Sequence, residues 1–437
     1  MWLLYFSYVT TPSIEATSIV TYSATYVPWL KSGNAATLSL WGQVITIALV
    51  GVFTVLNFFG IRWLIRMNNW ITWWKLAVPI GVAIVLLCTR FEPRNFHSHG
   101  DGFMPLGVQS LFAALSSGGI VFTLCGFRII ADLAAESRNP GRDIPFAFIV
   151  STCFAVGLYL VVQAAFIGAL DPASFAGGWL TLSLDENNAP FMAILMVAGM
   201  PLLAKLLSVD AVISPGGSGL AYVASTGRVG YAAAQQQFAP SIFLSLNKQG
   251  VPVTSLLVCW AISAVIVVAY PNWTKLANLN AAAYFLSVVT IPVSVAVLRR
   301  VDPTGPRPFR FGGGIVMCAV AFATNLLIVY WSGIDSFAPL LIALAAIVLA
   351  AVVVPRIRGT PPIITQWRPL AWFVPMTAVL IVVGMLGSTD FGGSGFLAGS
   401  LDTIVLAAVS VPIFFAAIRC ALPAADVKSA LRRLRVH

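Results

Sequence analysis

Four ionisable side chains lie within apolar stretches of the sequence, where a charge is costly and usually serves a function. They are Glu15, Lys75, Arg128 and Asp210. A lysine in such a place can lose its proton, because desolvation disfavours the charged amine. A carboxylate there can accept a proton or pair with a cation. These residue types indicate the binding and release of protons, cations or charged substrates.

Small and polar residues interrupt the apolar segment that carries Arg128, just after Val121. A broken helix in a membrane frees backbone N–H and C=O groups, which are tolerated only where they line a cavity or meet a ligand. A packing face of small residues is the alternative interpretation. We predict that the break binds a substrate. The candidate substrate-binding residues are Phe122, Thr123, Leu124, Cys125, Gly126 and Arg128.

Each charge also has a purely structural interpretation. Arg128 could bind a substrate carboxylate through two hydrogen bonds, or pair with Asp132 one helical turn later. Lys75 could bind and release a proton or extend its amine to the membrane surface. Asp210 could face a cation route or pair with a lysine, and Glu15 could face a proline kink. Asp132, Lys75, Asp210 and Glu15 are therefore candidate coupling or ion-binding residues.

The composition identifies the elements that must hold these residues. Of 437 residues, 59% are hydrophobic and only 9% are charged, and the mean hydropathy is +0.91. Apolar runs of roughly 18 or more residues, each long enough to span a bilayer, recur along the chain. We predict an all-α membrane protein with about twelve transmembrane helices, one of them discontinuous. The predicted spans are 1–30, 37–60, 70–89, 107–137, 145–170, 189–225, 252–270, 277–299, 313–333, 337–354, 369–387 and 401–421.

Local signals refine two of these elements. Pro145 fits the first turn of the helix after the break, with Asp143 as its N-cap. Trp70, Trp73 and Trp74 form a cluster typical of an interfacial aromatic belt.

Other function classes lack their usual signals. Six single cysteines and the absence of C-x-x-C predict neither a disulfide framework nor a metal site. His97, His99 and His437 cannot form a catalytic pair with a midplane acid, so we expect no enzyme and no cofactor. The net charge of +10 is a topology signal and does not indicate nucleic-acid binding.

The basic residues are distributed asymmetrically between the two sides of the predicted spans. One side collects Arg62, Arg66, Arg138, Arg142, Arg228, Lys248, Arg299, Arg300, Arg307, Arg310, Arg356, Arg358, Arg368, Lys428, Arg432, Arg433 and Arg435, and the other has Lys31, Arg90, Arg94 and Lys275. Because cytoplasmic loops carry the excess of Lys and Arg, we predict a multi-pass plasma-membrane protein with both termini cytoplasmic.

A motif in the broken segment resembles the amino acid–polyamine–organocation (APC) permeases. Gly126, Phe127 and Arg128 precede residues 135–145, which read A-E-S-R-N-P-G-R-D-I-P. In that family the sixth helix typically reads G-F-E and then A-E-E-x-K-N-P-x-R-x-I-P. Residues 57–76 and 225–252 are similar to the family's links between helices four and five and between helices eight and nine. Arg128 replaces the family's acidic residue, which puts specificity for cationic substrates in doubt.

The resemblance implies the leucine-transporter-type fold, in which two inverted five-helix repeats surround a midplane site. By this alignment residues 1–89 are family helices three to five, 90–300 are helices six to ten, 301–421 are four additional helices, and 422–437 are a basic cytoplasmic tail. The family's first two helices are missing, so we expect a truncated or mis-started version of a longer permease.

The resemblance also implies a function and residue roles. It implies a secondary transporter for an amino acid or related amine that works by alternating access, driven by H⁺, by Na⁺ or by exchange. Phe122 would gate the substrate, and Lys75 would occupy the place that a sodium ion holds in some relatives. A non-transporting membrane scaffold, or an inactive permease fragment, is the alternative.

Overall fold

The computed structural model describes residues 2–33, 37–59, 61–96, 107–117, 119–123, 125–132, 137–175, 179, 182, 190–236, 238–305, 307, 309–310, 312–357, 368–397 and 400–429. These residues form helices and 3-10 turns, and within them the β-structure is an isolated bridge between Lys31 and Leu38. The all-α prediction is confirmed.

Sixteen α-helices lie in the described part of the chain. They are α1 (Trp2–Ser23), α2 (Leu40–Asn57), α3 (Ile61–Thr89), α4 (Gly107–Ser117), α5 (Ile120–Thr123), α6 (Arg128–Asp132), α7 (Pro140–Ala169), α8 (Pro190–Val197), α9 (Pro201–Gln235), α10 (Val253–Ala269), α11 (Trp273–Val288), α12 (Thr290–Val301), α13 (Gly314–Trp331), α14 (Ile334–Ile357), α15 (Phe373–Leu386) and α16 (Leu401–Arg419).

Each of the twelve predicted spans contains helix. Among the described residues, eight helical stretches are long and apolar enough to cross a membrane, and three shorter apolar helices accompany them. A multi-pass helical membrane protein follows from these lengths.

Four predicted boundaries were wrong. Helix α3 begins at Ile61, nine residues before the predicted start at 70, and α9 continues to Gln235, ten residues beyond the predicted end at 225. Gly199, at φ +75°, separates α8 from α9 within a segment predicted as continuous. Helix α7 begins at Pro140, five residues before the expected start.

The start of α7 has a simple explanation in its backbone hydrogen bonds. The N–H groups of Arg142 and Asp143 both donate to the carbonyl oxygen of Asn139, at 3.0 and 2.9 Å. Pro140 therefore occupies the first helical position, where a missing N–H costs nothing. Asp143 is not the N-cap, and its carboxylate instead accepts a hydrogen bond from Ser137 Oγ at 2.8 Å.

The chain divides into two compact units, which are described separately. The first unit comprises Met1–Ser7, Val108–Phe148 and Ala277–His437, and the second comprises Tyr8–Gly107 and Ile149–Leu276. In the second unit, α9 is the central helix, and it packs against α2, α3, α8 and α10. Gly217 and Gly219 allow this close packing, because a Cβ there would collide with Ile71 of α3 and Phe53 of α2, respectively.

In the first unit, α13 and α16 pack together, with α12 and α15 against them. The buried carboxylate of Asp402 holds one end of this group. Its Oδ2 accepts hydrogen bonds from Tyr330 Oη at 2.5 Å and from the Ser388 N–H at 3.1 Å. This carboxylate therefore joins α13 to the connection between α15 and α16.

Candidate functional site

The segment between α4 and α7 is discontinuous, as predicted. Helix α5 ends at Thr123, a 3-10 turn covers Cys125–Phe127, and α6 starts at Arg128. Gly119 adopts φ +75°, a left-handed conformation that glycine reaches without a steric penalty. This second interruption, three residues before the start of the predicted break at Phe122, was not recognised from the sequence.

The polar side chains of the break bond to backbone within the same segment. Thr123 Oγ1 donates to the Ile120 carbonyl oxygen at 2.7 Å, and Cys125 Sγ lies 3.4 Å from the carbonyl oxygen of Val121. Phe127, which was not among the predicted site residues, holds the other end of the segment. Its ring packs edge-on against the ring of Tyr284, and the two ring centroids are 5.6 Å apart.

The candidate substrate-binding residues differ in exposure. Cys125 is buried, Phe122 and Arg128 are half-buried, and Thr123 and Gly126 are exposed. Leu124 and the Asp132 side chain lie outside the described residues. The structure brings the five described candidates together along one short stretch, and their role in substrate binding stays a prediction.

Lys75 points into the second unit. Its Nζ donates a hydrogen bond to Ser218 Oγ of α9 at 2.7 Å, within the strongest helix pairing of this unit. The alternative, an amine extended to the membrane surface, assumed that Lys75 lies near the start of its helix. Helix α3 begins at Ile61 and its membrane-crossing stretch at Asn68, so Lys75 lies seven residues inside that stretch.

Two carboxylates accompany Lys75. Glu15 of α1 and Asp210 of α9 lie near enough for their charges to interact with its ammonium. No ion pair under 4 Å joins Lys75 or Lys205 to either carboxylate among the described residues. The predicted pairing of Asp210 with a lysine therefore takes the weaker form of a through-space attraction to Lys75.

Asp210 has an unsatisfied oxygen. The residue is 7% exposed, and its buried Oδ1 has no hydrogen-bond partner in the described structure. The indole Nε1 of Trp74 lies next to this carboxylate and is likewise buried without a partner. Trp70 and Trp73 are about three-quarters exposed, as an interfacial belt requires, but Trp74 is not part of that belt.

A cavity of about 490 Å³ reaches Asp210 within the second unit. Polar groups line it together with aromatic and aliphatic side chains. The polar residues are Ser18, Tyr22, Gln163, Asp210 and Ser214. Asp210 therefore contributes a carboxylate to the polar part of this wall, while its Oδ1 is itself buried beside the Trp74 indole.

The ionisable cluster is formed by α1, α3 and α9 and comprises Glu15, Lys75, Asp210, Ser218 and Trp74. Sequence reasoning identified its three charges but missed Ser218 and Trp74. A serine in a membrane helix and a tryptophan beside two others carry no distinguishing signal in one sequence. Among the described residues, no three His, Cys, Asp or Glu side chains could hold a metal ion, and all six cysteines are free thiols.

Comparison with known proteins identifies the family to which the chain belongs. The sequence model of a family described as "Amino acid permease" matches residues 1–380. The chain belongs to the amino acid permease family. This permease is accordingly an amino acid transporter of the APC superfamily, as its motifs indicated.

Curated relatives of the permease are also amino acid transporters. An aspartate-proton symporter of Bacillus subtilis is 32% identical over 429 residues, which cover 96% of the permease and 81% of the symporter. The glutamate/serine transporter AimA of the same species is 29% identical, over 96% of the permease and 78% of AimA. A D-serine/D-alanine/glycine transporter of Escherichia coli K12 is 24% identical, over 75% and 69% of the two chains.

Proposed function

We propose that this chain is a proton-coupled amino acid permease of the plasma membrane that works by alternating access. The ionisable cluster carries the proton, and the break between Phe122 and Arg128 binds the substrate. A relative that is an aspartate-proton symporter supports proton coupling. The hydrogen bond from Lys75 to Ser218, with two carboxylates nearby, is the observation that carries the proposal.

Lys75 can act as a coupling group because its contacts depend on its charge. As an ammonium it donates to Ser218 and attracts Glu15 and Asp210. As a neutral amine it loses that attraction, and the two carboxylates are left without the cation that both interact with. Proton loss or gain therefore changes how strongly α3 is held to α1 and α9, which biases the bundle between two conformations.

The cavity beside Asp210 supplies the proton route. The lining residues come from the ends of α1 and α7, the start of α8 and the first half of α9. The distribution of basic residues predicts that these ends face the outside of the cell. A proton from outside would therefore reach the carboxylate of Asp210 through this cavity before it reaches Lys75.

The substrate class follows from the break. Arg128 supplies a guanidinium, which can hold a carboxylate through two parallel hydrogen bonds. The open backbone around Thr123 and Gly126 supplies further donors and acceptors. This donor set fits an amino acid, and an acidic side chain would add a second carboxylate. Relatives named for aspartate and for glutamate and serine are consistent with that chemistry.

The direct test is uptake by the full chain in proteoliposomes, with labelled aspartate, glutamate and serine offered across a pH gradient. We expect accumulation that requires an inward proton gradient and collapses with a protonophore. Lys75→Met should abolish the effect of the gradient while substrate exchange at equal pH persists, which also reports that the variant is folded. Lys205→Met is the matched control, because Lys205 is exposed and lies outside the cluster.

Three outcomes would contradict the proposal. Gradient-driven uptake that is undiminished in Lys75→Met would exclude the cluster as the coupling site. Uptake that follows a sodium gradient, or that needs only amino acid on the opposite side, would replace proton coupling with sodium coupling or exchange. A wild-type protein that neither accumulates nor exchanges any amino acid would remove the transport assignment itself.

A further inference from the structure

An apolar groove of about 760 Å³ opens on the first unit. Its walls are Leu3 of α1, the end of α11, α12, the middle of α14, the segment 369–374, and the end of α16 with the residues that follow it. The volume lies within the range of roughly 300–1,000 Å³ that is usual for ligand-binding pockets. Neither the transport site nor the ionisable cluster uses any residue of this groove.

The few polar groups on the wall are already satisfied. Ser287 Oγ donates to the Tyr284 carbonyl oxygen at 2.7 Å, Thr290 Oγ1 to that of Ser287 at 3.3 Å, and Ser294 Oγ to that of Thr290 at 2.9 Å. Each hydroxyl is already bonded to a backbone carbonyl one turn earlier in the chain, so none needs a hydrogen bond from an occupant. The wall therefore favours a hydrocarbon chain, which has no hydrogen bonds to offer.

The rim of the groove is basic. Arg300 follows the lining residues Val293 and Val297 by seven and three positions, so it shares their face of α12. Arg368 directly precedes the lining segment 369–374.

Basic residues outnumber acidic ones around the groove. The three segments 286–302, 368–374 and 417–429 carry five basic residues and two acidic ones. The basic residues are Arg299, Arg300, Arg368, Arg419 and Lys428, and the acidic ones are Asp302 and Asp426. This excess of positive charge complements an anionic group at the rim.

We propose that the groove binds one anionic phospholipid of the cytoplasmic leaflet. Its acyl chain would lie against the apolar wall, and its phosphate would lie between Arg300, Arg368 and Lys428. The positive-inside distribution predicts that these helix ends face the cytoplasm, where anionic lipids are concentrated. The acyl chain of a zwitterionic lipid would fit against the apolar wall equally well, but its headgroup has no net negative charge for the basic rim to attract.

The test compares phosphatidylglycerol with phosphatidylcholine, added in mixed micelles to the full chain purified in mild detergent. Native mass spectrometry counts bound lipid, and the thermal unfolding midpoint reports its effect. Wild type should retain phosphatidylglycerol and be stabilised by it more than by phosphatidylcholine. The triple variant Arg300→Gln, Arg368→Gln, Lys428→Gln should weaken phosphatidylglycerol binding on the order of a hundredfold, since each basic side chain near anionic lipid contributes about fivefold.

Matched variants separate this site from non-specific attraction. Arg138→Gln, Arg142→Gln, Lys248→Gln removes the same charge from other exposed positions and should leave lipid retention unchanged. Val297→Trp fills the groove without a change of charge and should also expel the lipid. Val265→Trp adds the same bulk at an exposed position on α10 and should not.

Four results would overturn the proposal. Equal retention of the two lipids would remove the role of the basic rim. An equal loss in the two charge-removal variants would reduce the effect to net charge. Full lipid retention by Val297→Trp would place the lipid elsewhere, and a density map with a protein segment or a second copy in the groove would replace the lipid as its occupant.

Discussion

At the scale of single residues, Arg128 decides between two accounts of the break. If its guanidinium holds a substrate carboxylate, Arg128→Gln should raise KM for aspartate by roughly 10-fold to 100-fold, because a hydrogen bond to a charged group is worth about 1.5–3 kcal/mol. Arg128→Lys should recover only part of the loss, since a lysine cannot make the bidentate contact. The measurement is the KM for aspartate and for serine in proteoliposomes.

Asp132 supplies the control for that experiment. In the alternative account Arg128 pairs with Asp132, and removing either partner would leave the other charge uncompensated in the membrane. Asp132→Asn would then reproduce the defect of Arg128→Gln for every substrate. We expect instead that Asp132→Asn leaves the KM values for aspartate and for serine close to those of the wild type.

Asp402 gives a second prediction at this scale, about stability. Asp402→Ala removes the acceptor for Tyr330 Oη and for the Ser388 N–H, two donors that are buried. Unsatisfied buried donors cost about 1–3 kcal/mol each, so the thermal unfolding midpoint in detergent should fall. Tyr330→Phe should cost less, because the carboxylate keeps its backbone partner. Asp390→Ala, at an exposed carboxylate in the same connection, should change the midpoint little.

At the scale of elements, glycines of α9 set how closely its neighbours approach. Gly219→Ala places a methyl group against the ring of Phe53 on α2, and such overpacking typically costs about 1–3 kcal/mol. Gly216→Ala is the matched change three residues earlier, where a Cβ would meet nothing within 4 Å. We expect a lower unfolding midpoint for Gly219→Ala and an unchanged or raised one for Gly216→Ala. Equal midpoints would contradict this account of the packing.

The ends and breaks of helices could be predicted where the polarity of the sequence changes along the chain, and could not be predicted where it stays constant. The break after Val121 was found because Thr123, Cys125 and Gly126 interrupt an apolar run. The break at Gly199 was missed because the residues on both sides are equally apolar, so hydropathy does not change there. The predicted span ended at residue 225, ten residues before the end of α9, because Gly227 and Arg228 make the following stretch more polar although the helix continues through it.

The ionisable cluster was predictable in part for a similar reason. A charge in an apolar run is visible in one sequence, so Glu15, Lys75 and Asp210 were found individually. Their proximity was not visible, because Lys75 and Ser218 are 143 residues apart and meet only through the packing of α3 on α9. Which groups pair therefore depends on tertiary packing, which no local pattern specifies.

At the scale of the whole molecule, both proposals depend on the orientation of the chain in the membrane. The proton route requires that the cavity beside Asp210 open outward, and the lipid site requires that the rim at Arg300 face inward. Both directions derive from the positive-inside rule applied to the basic residues. One error in the predicted orientation would reverse both assignments, so orientation is the property to measure first.

Two exposed lysines that flank α10 make that measurement possible. Lys248 precedes this helix and Lys275 follows it, so they lie beyond its opposite ends, and the predicted topology puts them on opposite sides of the membrane. In a variant without native cysteines, Lys275→Cys should react with a membrane-impermeant maleimide on intact cells, and Lys248→Cys only after permeabilisation. The reagent cannot cross the bilayer, so its access reports sidedness directly. The reverse pattern would place the cavity beside Asp210 on the cytoplasmic side. Because an inward proton gradient supplies protons from outside the cell, that result would exclude the proposed proton route.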